Sequence, residues 1–315
     1  MTVRRPSIRL FDIALMVVLL ALFPVAWLVP EHRWDSLAKL TDRLAPLSRR
    51  RQRRLARIQA AFSDFDSARC LQVERESRAN WILRQLQLLR AYRPGGWHPK
   101  ICIEGRERID RALALGKGAV LWNGAFRFSD LVAKIGLHEA GYHLTHLSMP
   151  DHGWSNTRFG VRWLNPILVR IERRFLLKRV VIDPGNPTQA TEQIRCALGG
   201  NGIVSITAIR GAARRPASVR ILNSNFRIGL GAPILAYETG ASLLPVFTLR
   251  GREGSFQIFV EHAITVDTDI PRIDAAMGAV QVMGKLIERH VRAAPGEWNW
   301  WDMEPLNGAI ESRKE

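Results

Sequence analysis

Cysteine is scarce in this chain of 315 residues. The three cysteines, Cys70, Cys102 and Cys196, are far apart and show neither paired nor metal-type spacing. The sequence therefore predicts no disulfide framework and no metal site, and it is compatible with a reducing compartment.

Acidic residues are also few. The chain has 29 Asp and Glu residues against 46 Lys and Arg residues, which gives a formal net charge of +17 at pH 7. Such a chain is attracted to anionic surfaces, either phospholipid headgroups or nucleic acid. Because no aromatic stacking platform or recognised nucleic-acid-binding module accompanies the charge, membrane lipid is the favoured partner and nucleic acid the less favoured one.

Long apolar stretches are absent with one exception, at residues 13–29, where every residue is apolar or proline. As a helix this stretch would be about 26 Å long, near the lower limit for crossing the core of a bilayer. It predicts a membrane anchor over residues 1–30. A cleaved signal peptide is the alternative, since arginines precede the stretch, but no small-x-small cleavage pattern follows and Trp27 occupies that region.

Residues 31–60 are strongly basic and are predicted to form a juxtamembrane helix or linker. Because this charge exceeds that before the apolar stretch, the positive-inside rule places the main domain in the cytoplasm. The same side chains are expected to hold anionic headgroups; a solvated helix and an RNA-binding arm are the alternatives. The basic residues concerned are Arg33, Lys39, Arg43, Arg49, Arg50, Arg51, Arg53, Arg54 and Arg57.

The rest of the chain is predicted to form one domain over residues 61–305, followed by a tail at 306–315. Short apolar strands alternate with helices, which is typical of an α/β fold with a largely parallel sheet flanked by helices. Active sites of such sheets lie beyond the carboxyl ends of the strands, and the loop that begins at Asn123 is at such an end. Strands are predicted at 119–122, 142–147, 180–182, 203–207 and 243–249, and helices at 70–92, 130–139, 163–177, 188–198 and 232–239.

Residues 116–130 (GKGAVLWNGAFRFSD) indicate a strand, a turn and the start of a helix, with Asp130 five residues after Ala125. Together with residues 101–115 (ICIEGRERIDRALAL) and 231–247 (GAPILAYETGASLLPVF), this pattern resembles the lipid A biosynthesis acyltransferase family of the lysophospholipid acyltransferase group. That family is built around a histidine, four intervening residues and an acid. Ala125 occupies the position of the histidine.

The resemblance implies transfer of an acyl group from a thioester to a lipid hydroxyl at a bacterial inner membrane. It implies acyl-ACP or acyl-CoA as donor substrate, no further cofactor, and an acyl carrier protein as a possible partner. The family histidine acts as the base and the acid orients it. Ala125 cannot accept a proton. Asp130 either keeps a catalytic role or, as the alternative, caps the helix that begins there.

A second departure lies at residues 207–211 (TAIRG). The family commonly carries an acidic Asp-Gln-Asp-like patch there, whereas this chain has Arg210. A guanidinium at this position favours binding an anion such as phosphate; a solvated surface arginine is the alternative.

His152 is the best candidate for a substitute base, oriented by Asp151 or Asp130. This prediction assumes that the strands at 119–122 and 142–147 are adjacent and parallel. An ordinary polar loop residue is the alternative. His146 matches the family spacing to Asp151 literally, but Pro150 interrupts it and a strand precedes it, so we interpret that match as coincidence.

Substrate contacts are predicted for Asn123 and Ala125, and an anion-binding face for Arg127, Arg158 and Arg162. Such a face would suit a phosphorylated glycolipid or the phosphopantetheine of an acyl carrier. Residues 295–301 (PGEWNWW) resemble the Trp-containing tail of the family, although Asp302 and Glu304 replace basic residues.

Two functional hypotheses follow. In the first, the chain is a membrane-anchored acyltransferase whose activity is impaired or uses a rearranged base. In the second, it is a catalytically inactive relative, a possible pseudoenzyme, that binds lipid or acyl carrier as a partner protein. A membrane-tethered nucleic-acid binder is a weaker third.

Overall fold

The computed structural model describes residues 6–44, 48–183, 185–208 and 216–302. Seven strands form one sheet in the order β1-β9-β8-β2-β5-β3-β4, and β6 and β7 form a separate hairpin. The strands in these residues are β1 Ile101–Glu104, β2 Ala119–Asn123, β3 Leu144–Ser148, β4 Lys178–Val181, β5 Ile203–Thr207, β6 Pro216–Ile221, β7 Ser224–Gly229, β8 Ser242–Arg250 and β9 Phe256–Val260.

Neighbouring strands of the sheet run parallel except β8 and β9, which pair antiparallel. The prediction of an α/β fold with a largely parallel sheet is confirmed. All residues of β2 are buried, as expected for a central strand covered on both faces.

The sheet corrects one assumption of the sequence analysis. Strands β2 and β3 are not adjacent, because β5 pairs with both of them and lies between them. The loop after β2, which carries Ala125, and the loop after β3, which carries His152, are therefore separated by the width of one intervening strand.

Helices cover both faces of the sheet. One face packs against α8, α9, α10 and the β6–β7 hairpin, and the other against α5 and α6. The helices of the described residues are α1 Leu10–Leu28, α2 Trp34–Leu44, α3 Arg49–Ala61, α4 Ser67–Arg90, α5 Arg106–Ala114, α6 Val132–Glu139, α7 Asn165–Glu172, α8 Pro187–Gly199, α9 Gly231–Thr239 and α10 Arg272–Ala293.

Helix α1 is long and apolar enough to cross a membrane, a property that a signal sequence shares. It packs beside α4 and buries Leu15, Leu19 and Ala26. Near its end, the indole of Trp27 donates a hydrogen bond to the carbonyl of Leu89 at 3.1 Å, and the guanidinium of Arg90 donates to the carbonyl of Val29 at 2.6 Å. Helix α1 is thus part of the folded body along its length.

The basic segment that follows α1 also packs on the body. Trp34 of α2 and Ile58 of α3 are buried, and α3 contacts α4. The predicted division at residue 60 stays a prediction, but this packing ties the segment to the domain.

Candidate functional site

Ala125 lies in the loop that follows β2, where the chain passes close to β8. A Cβ on Gly124 would stand 2.5 Å from the ring of Phe247, so only glycine fits at that position. The carbonyl of Ala125 accepts a hydrogen bond from the backbone N–H of Asn299 at 3.1 Å. The side chain of Asn299 donates to the carbonyl of Phe126 at 3.0 Å. The C-terminal segment therefore pairs with this loop through its backbone.

Three cavities of the described residues, of about 550, 480 and 500 Å³, open to solvent, and Ala125 lines none of these three. Ala125 itself is half-buried. A substrate contact at Ala125 stays a prediction.

Asp130 lies just before α6 and does not cap it. Its carboxylate accepts a hydrogen bond from Nη2 of Arg84 at 3.0 Å, and α6 has no side-chain cap at its N-terminus. The carboxylate that would orient the family base is held by an arginine of α4.

His152 lies in the loop after β3, and its partner is Glu172 of α7. Nε2 of His152 lies 3.2 Å and 3.0 Å from the two carboxylate oxygens of Glu172. Neither Asp151 nor Asp130, the two residues proposed as orienting groups, takes this place in the structure, since Asp130 pairs with Arg84. An imidazole held by a carboxylate in this way is a histidine–carboxylate dyad.

The carboxylate of this dyad is fully buried and paired twice. The Nζ atom of Lys134 lies 2.7 Å from Oε2 of Glu172, the oxygen that also lies 3.0 Å from Nε2 of His152. Burial by itself would raise the pKa of Glu172, but the attraction of Lys134 and His152 outweighs it and holds that pKa well below its usual range. Glu172 is therefore ionised at neutral pH, and Nε2 is the ring nitrogen of His152 that faces it.

An open cavity of about 480 Å³ adjoins His152. Its guanidinium groups can bind a phosphate or carboxylate, and the imidazole can accept a proton from a group held beside them. Besides His152 the cavity is lined by Pro150, Val161, Asn165, Pro166, Val169, Arg170, Arg173 and Arg179.

A buried polar network leads from this dyad toward β2. The rings of His152 and His146 lie 6.3 Å apart, and Nδ1 of His146 lies 3.1 Å from the hydroxyl of Ser205. The amide of Asn123 donates to the same hydroxyl at 2.9 Å. Burial lowers the pKa of His146 well below its usual value, so this imidazole is neutral at pH 7. The amide of Asn123 is engaged inside the sheet, and its contact with a substrate stays a prediction.

The arginines predicted to share an anion-binding face are in different surroundings. Arg127 is buried and lies 3.6 Å from a carboxylate oxygen of Asp302, and burial lowers its pKa to about 10. Arg158 and Arg162 are exposed, and the backbone of Arg158 bonds to Pro6 near the start of α1. Arg127 is paired with Asp302 inside the fold, and an anion-binding face shared by the three arginines stays a prediction.

Arg210 lies outside the described residues. The described parts of the chain contain no cluster of three or more His, Cys, Asp or Glu side chains that could hold a metal ion.

Sequence reasoning missed a second buried histidine–carboxylate pair. Nε2 of His290 on α10 lies 2.8 Å from Glu261, and its ring stacks on Phe247 at 4.1 Å between centroids. Burial lowers the pKa of His290, although Glu261 opposes this shift. The ring is enclosed by aromatic side chains, which indicates packing, whereas His152 faces an open cavity.

No protein-family model matches this chain. The chain is similar to two proteins named phosphatidylinositol mannoside acyltransferase from Mycobacterium tuberculosis. It is 26% identical over 217 residues to the protein of strain H37Rv and 24% identical over 220 residues to that of strain CDC 1551. Each match covers 67% of this chain and spans 62% of the length of the relative.

The chain thus has an α/β fold, and the relatives that it resembles over part of their length are named acyltransferases. They do not single out the lipid A branch that the sequence motifs resemble.

Proposed function

We propose that this chain is a membrane-associated acyltransferase in which His152, held by Glu172, takes the place of the family histidine missing at Ala125. The distance of 3.0 Å between Nε2 of His152 and the buried carboxylate of Glu172 carries this proposal. It provides an oriented imidazole whose second nitrogen can face an arginine-lined cavity. The acyltransferase relatives support the reaction class.

In this reaction Nδ1 of His152 removes the proton of the acceptor hydroxyl while its oxygen attacks the carbonyl carbon of the thioester. The new carbon–oxygen bond forms, the carbon–sulfur bond breaks, and the imidazolium returns the proton to the departing sulfur. Glu172 stabilises the imidazolium and fixes its orientation, the usual role of the carboxylate in such a dyad. A base of this kind contributes about 10² to 10⁴ in rate.

For the acceptor we propose a phosphorylated glycolipid or a lysophospholipid, and for the donor acyl-ACP or acyl-CoA. Both donors carry a phosphopantetheine phosphate, which Arg170, Arg173 and Arg179 can bind. The resemblance to lipid A acyltransferases and the name of the relatives both support an acceptor that combines sugar and phosphate. We further propose that the protein acts at the cytoplasmic face of a bacterial inner membrane, with α1 as its membrane element.

A second function, binding without turnover, is supported by the surroundings of Ala125. That position carries no proton acceptor, is paired with the C-terminal segment through Asn299, and lies outside the large cavities. A protein of this kind would bind lipid or acyl carrier protein as a partner and transfer nothing.

An acyltransferase assay separates the two functions. Purified protein is given acyl-ACP or acyl-CoA with lysophospholipid, lipid A precursor or phosphatidylinositol mannoside acceptors. We expect turnover that falls about 10² to 10⁴-fold in His152→Ala and is unchanged in His262→Ala, an exposed histidine that serves as the matched control.

Turnover that survives His152→Ala would overturn the assignment of the base. A lack of turnover on every acceptor, together with measurable lipid binding, would favour the binding protein instead. In Glu172→Gln we expect the rate to fall, because the neutral amide no longer stabilises the imidazolium.

A further inference from the structure

A buried lysine shares the carboxylate of the histidine–carboxylate dyad. The side chain of Lys134 is 4% exposed, and its Nζ atom lies 2.7 Å from Oε2 of Glu172. The same oxygen lies 3.0 Å from Nε2 of His152. A buried lysine is rare among proteins, because taking an ammonium group out of water is costly unless a counter-charge lies beside it. The burial of Lys134 is therefore tied to the charge of Glu172.

The three side chains come from three parts of the fold. Lys134 is the third residue of α6, Glu172 is the last residue of α7, and His152 lies in the loop after β3. Glu172 is fully buried, whereas the side chain of His152 is 20% exposed and lines the open cavity. The imidazole is thus the outermost member of a row that begins with the ammonium and passes through the carboxylate.

The charges of this row oppose one another at the imidazole. A carboxylate beside an imidazole favours the protonated ring, because opposite charges attract within about 4 to 6 Å. An ammonium on the same oxygen has the reverse effect, since it neutralises the carboxylate and repels a second positive charge. Both effects are stronger here than at a surface, because little water screens Lys134 and Glu172. A general base must be neutral, since an imidazolium has no lone pair with which to accept a proton.

We infer that Lys134 is a positioning residue, which neutralises Glu172 and thereby keeps the ring of His152 uncharged and able to act as the base. The row has no net charge only while the ring is neutral. The inference rests on the proposed function and deepens it, because it adds to the site a residue that acts through Glu172 and does not touch the substrate. It also accounts for a buried ammonium next to the dyad.

Further charged or titratable groups lie around His152 and are retained in every variant compared below. The ring of His146 on β3 is 6.3 Å away, and burial lowers the pKa of that imidazole well below its usual value. The other groups are Asp151, next to His152 in the chain, and the cavity residues Arg170, Arg173 and Arg179. Because all of them are kept, a change at His152 on substitution of Lys134 reports the ammonium itself.

The titration of His152, followed by NMR on the full chain with isotope-labelled histidine and no substrate, tests the inference. The resonance is assigned by its absence in His152→Ala. Lys134→Met keeps the length of the side chain and removes its charge, so we expect the titration midpoint to rise by about one pH unit or more. Lys285→Met, at an exposed position of α10, is the matched control and should leave the midpoint unchanged. The exposed His262 is the internal reference.

Glu172→Gln is the opposite substitution. It leaves the ammonium without its carboxylate, so the midpoint of His152 should fall. In the double variant Lys134→Met/Glu172→Gln neither charge remains, and we expect the midpoint to return toward the wild-type value. This cancellation separates an electrostatic role from a structural one, since damage to packing would not change sign between the two single variants.

Circular dichroism checks that each variant is folded. A single variant leaves one buried charge without its partner and is the more prone to unfold, whereas the double variant leaves none. The double variant and either of the single variants are together enough to show the cancellation.

The rate of acyl transfer gives a second readout. At pH 7 we expect Lys134→Met to be slower by about tenfold or more and to regain most of the loss at pH 9, because a higher pH restores the neutral ring. His152→Ala should regain nothing, since it has no ring to restore.

An unchanged midpoint in Lys134→Met, or shifts of the same sign in the two single variants, would overturn the inference. The absence of acyl transfer from the wild type is a different failure. It would overturn the proposed function, and the titration of His152 would still decide whether Lys134 sets the charge of the ring.

Discussion

Single residues decide what the candidate site can do. The substitution at Ala125 was visible in the sequence because the spacing to Asp130 is kept. The pairing of His152 with Glu172 was not visible, since the two are 20 residues apart and meet only when α7 packs beside the loop after β3. Nothing in the sequence around Lys134 of α6 indicated that its ammonium would be buried beside that carboxylate. Pairings that depend on tertiary packing leave no local pattern.

The carboxyl of Glu297 predicts a pH dependence of stability. It is buried and accepts hydrogen bonds from the backbone N–H of Arg250 at 3.1 Å and 3.0 Å, and burial raises its pKa to about 8. In the unfolded chain the same group titrates near 4.5. Between these values the folded state holds a proton that the unfolded state has lost. Its stabilising contribution is therefore full below about pH 4.5 and is lost as the pH rises to about 8.

Glu297→Gln keeps the shape of the side chain and removes this titration. We expect the free energy of unfolding of the wild type to fall between pH 5 and pH 8 by on the order of a few kcal/mol, and its thermal midpoint to fall with it. The midpoint of the variant should change much less. Glu192→Gln, an exposed position, is the control. Parallel curves for the wild type and Glu297→Gln would contradict the assignment.

At the scale of elements, the sequence predicted the strands and helices whose apolar pattern is strong. The strand predicted at 203–207 is observed as Ile203–Thr207, and the helix predicted at 232–239 as Gly231–Thr239. Strand order could not be read in the same way. It depends on where each crossover connection returns, and the insertion of β5 between β2 and β3 has no local signature.

The β6–β7 hairpin was missed although a signal was present. Ala217, Val219 and Ile221 are buried and alternate with polar residues, the period of a half-buried strand. The hairpin packs with α10 on one face of the sheet.

Helix α1 is anchored to the body by one buried hydrogen bond near its start. The hydroxyl of Thr157 donates to Asp12 at 2.8 Å, and the same carboxylate accepts from the backbone N–H of Arg9 at 2.8 Å. Asp12 therefore has two roles: it caps α1, and it connects α1 to the loop before α7. An acid in an otherwise apolar helix is accounted for by this double contact.

Thr157→Val preserves the size of the side chain and removes the donor. We expect hydrogen exchange of the amides in the first turns of α1 to accelerate about tenfold, since a buried hydrogen bond to a charged group contributes about 1.5 to 3 kcal/mol. Exchange in β2 should not change. Thr191→Val is the control, because that hydroxyl donates within its own helix, to the carbonyl of Pro187. Unchanged exchange in α1 would show that the contact does not hold the helix.

At the scale of the whole molecule, positive charge and an apolar helix face act together. The net charge is +17. Leu10, Val17 and Leu20 of α1 are 84%, 57% and 67% exposed, and Trp163 nearby is 60% exposed. Helix α1 is held against the body at both ends. We expect it to lie in the interface with its outer face among the lipids and the arginines against anionic headgroups.

This arrangement predicts two separable contributions to vesicle binding. Leu20→Glu removes apolar contact, which for a fully buried leucine amounts to about 1.5 to 3 kcal/mol, so sedimentation with vesicles should fall about tenfold at high salt. Leu115→Glu, an exposed leucine at the end of α5, is the control. The electrostatic part should appear only with phosphatidylglycerol in the vesicles and should weaken as salt rises.

The two contributions give different outcomes if either is absent. If charge alone bound the protein, high salt would release the wild type and Leu20→Glu equally, and α1 would not enter the lipid. If α1 alone bound it, phosphatidylglycerol would add nothing at low salt. Equal loss in Leu115→Glu and Leu20→Glu would contradict an orientation set by α1, since these two leucines lie on different elements of the fold. Residual binding of the wild type at high salt, lost in Leu20→Glu, is the result that requires the outer face of α1 to lie in the bilayer.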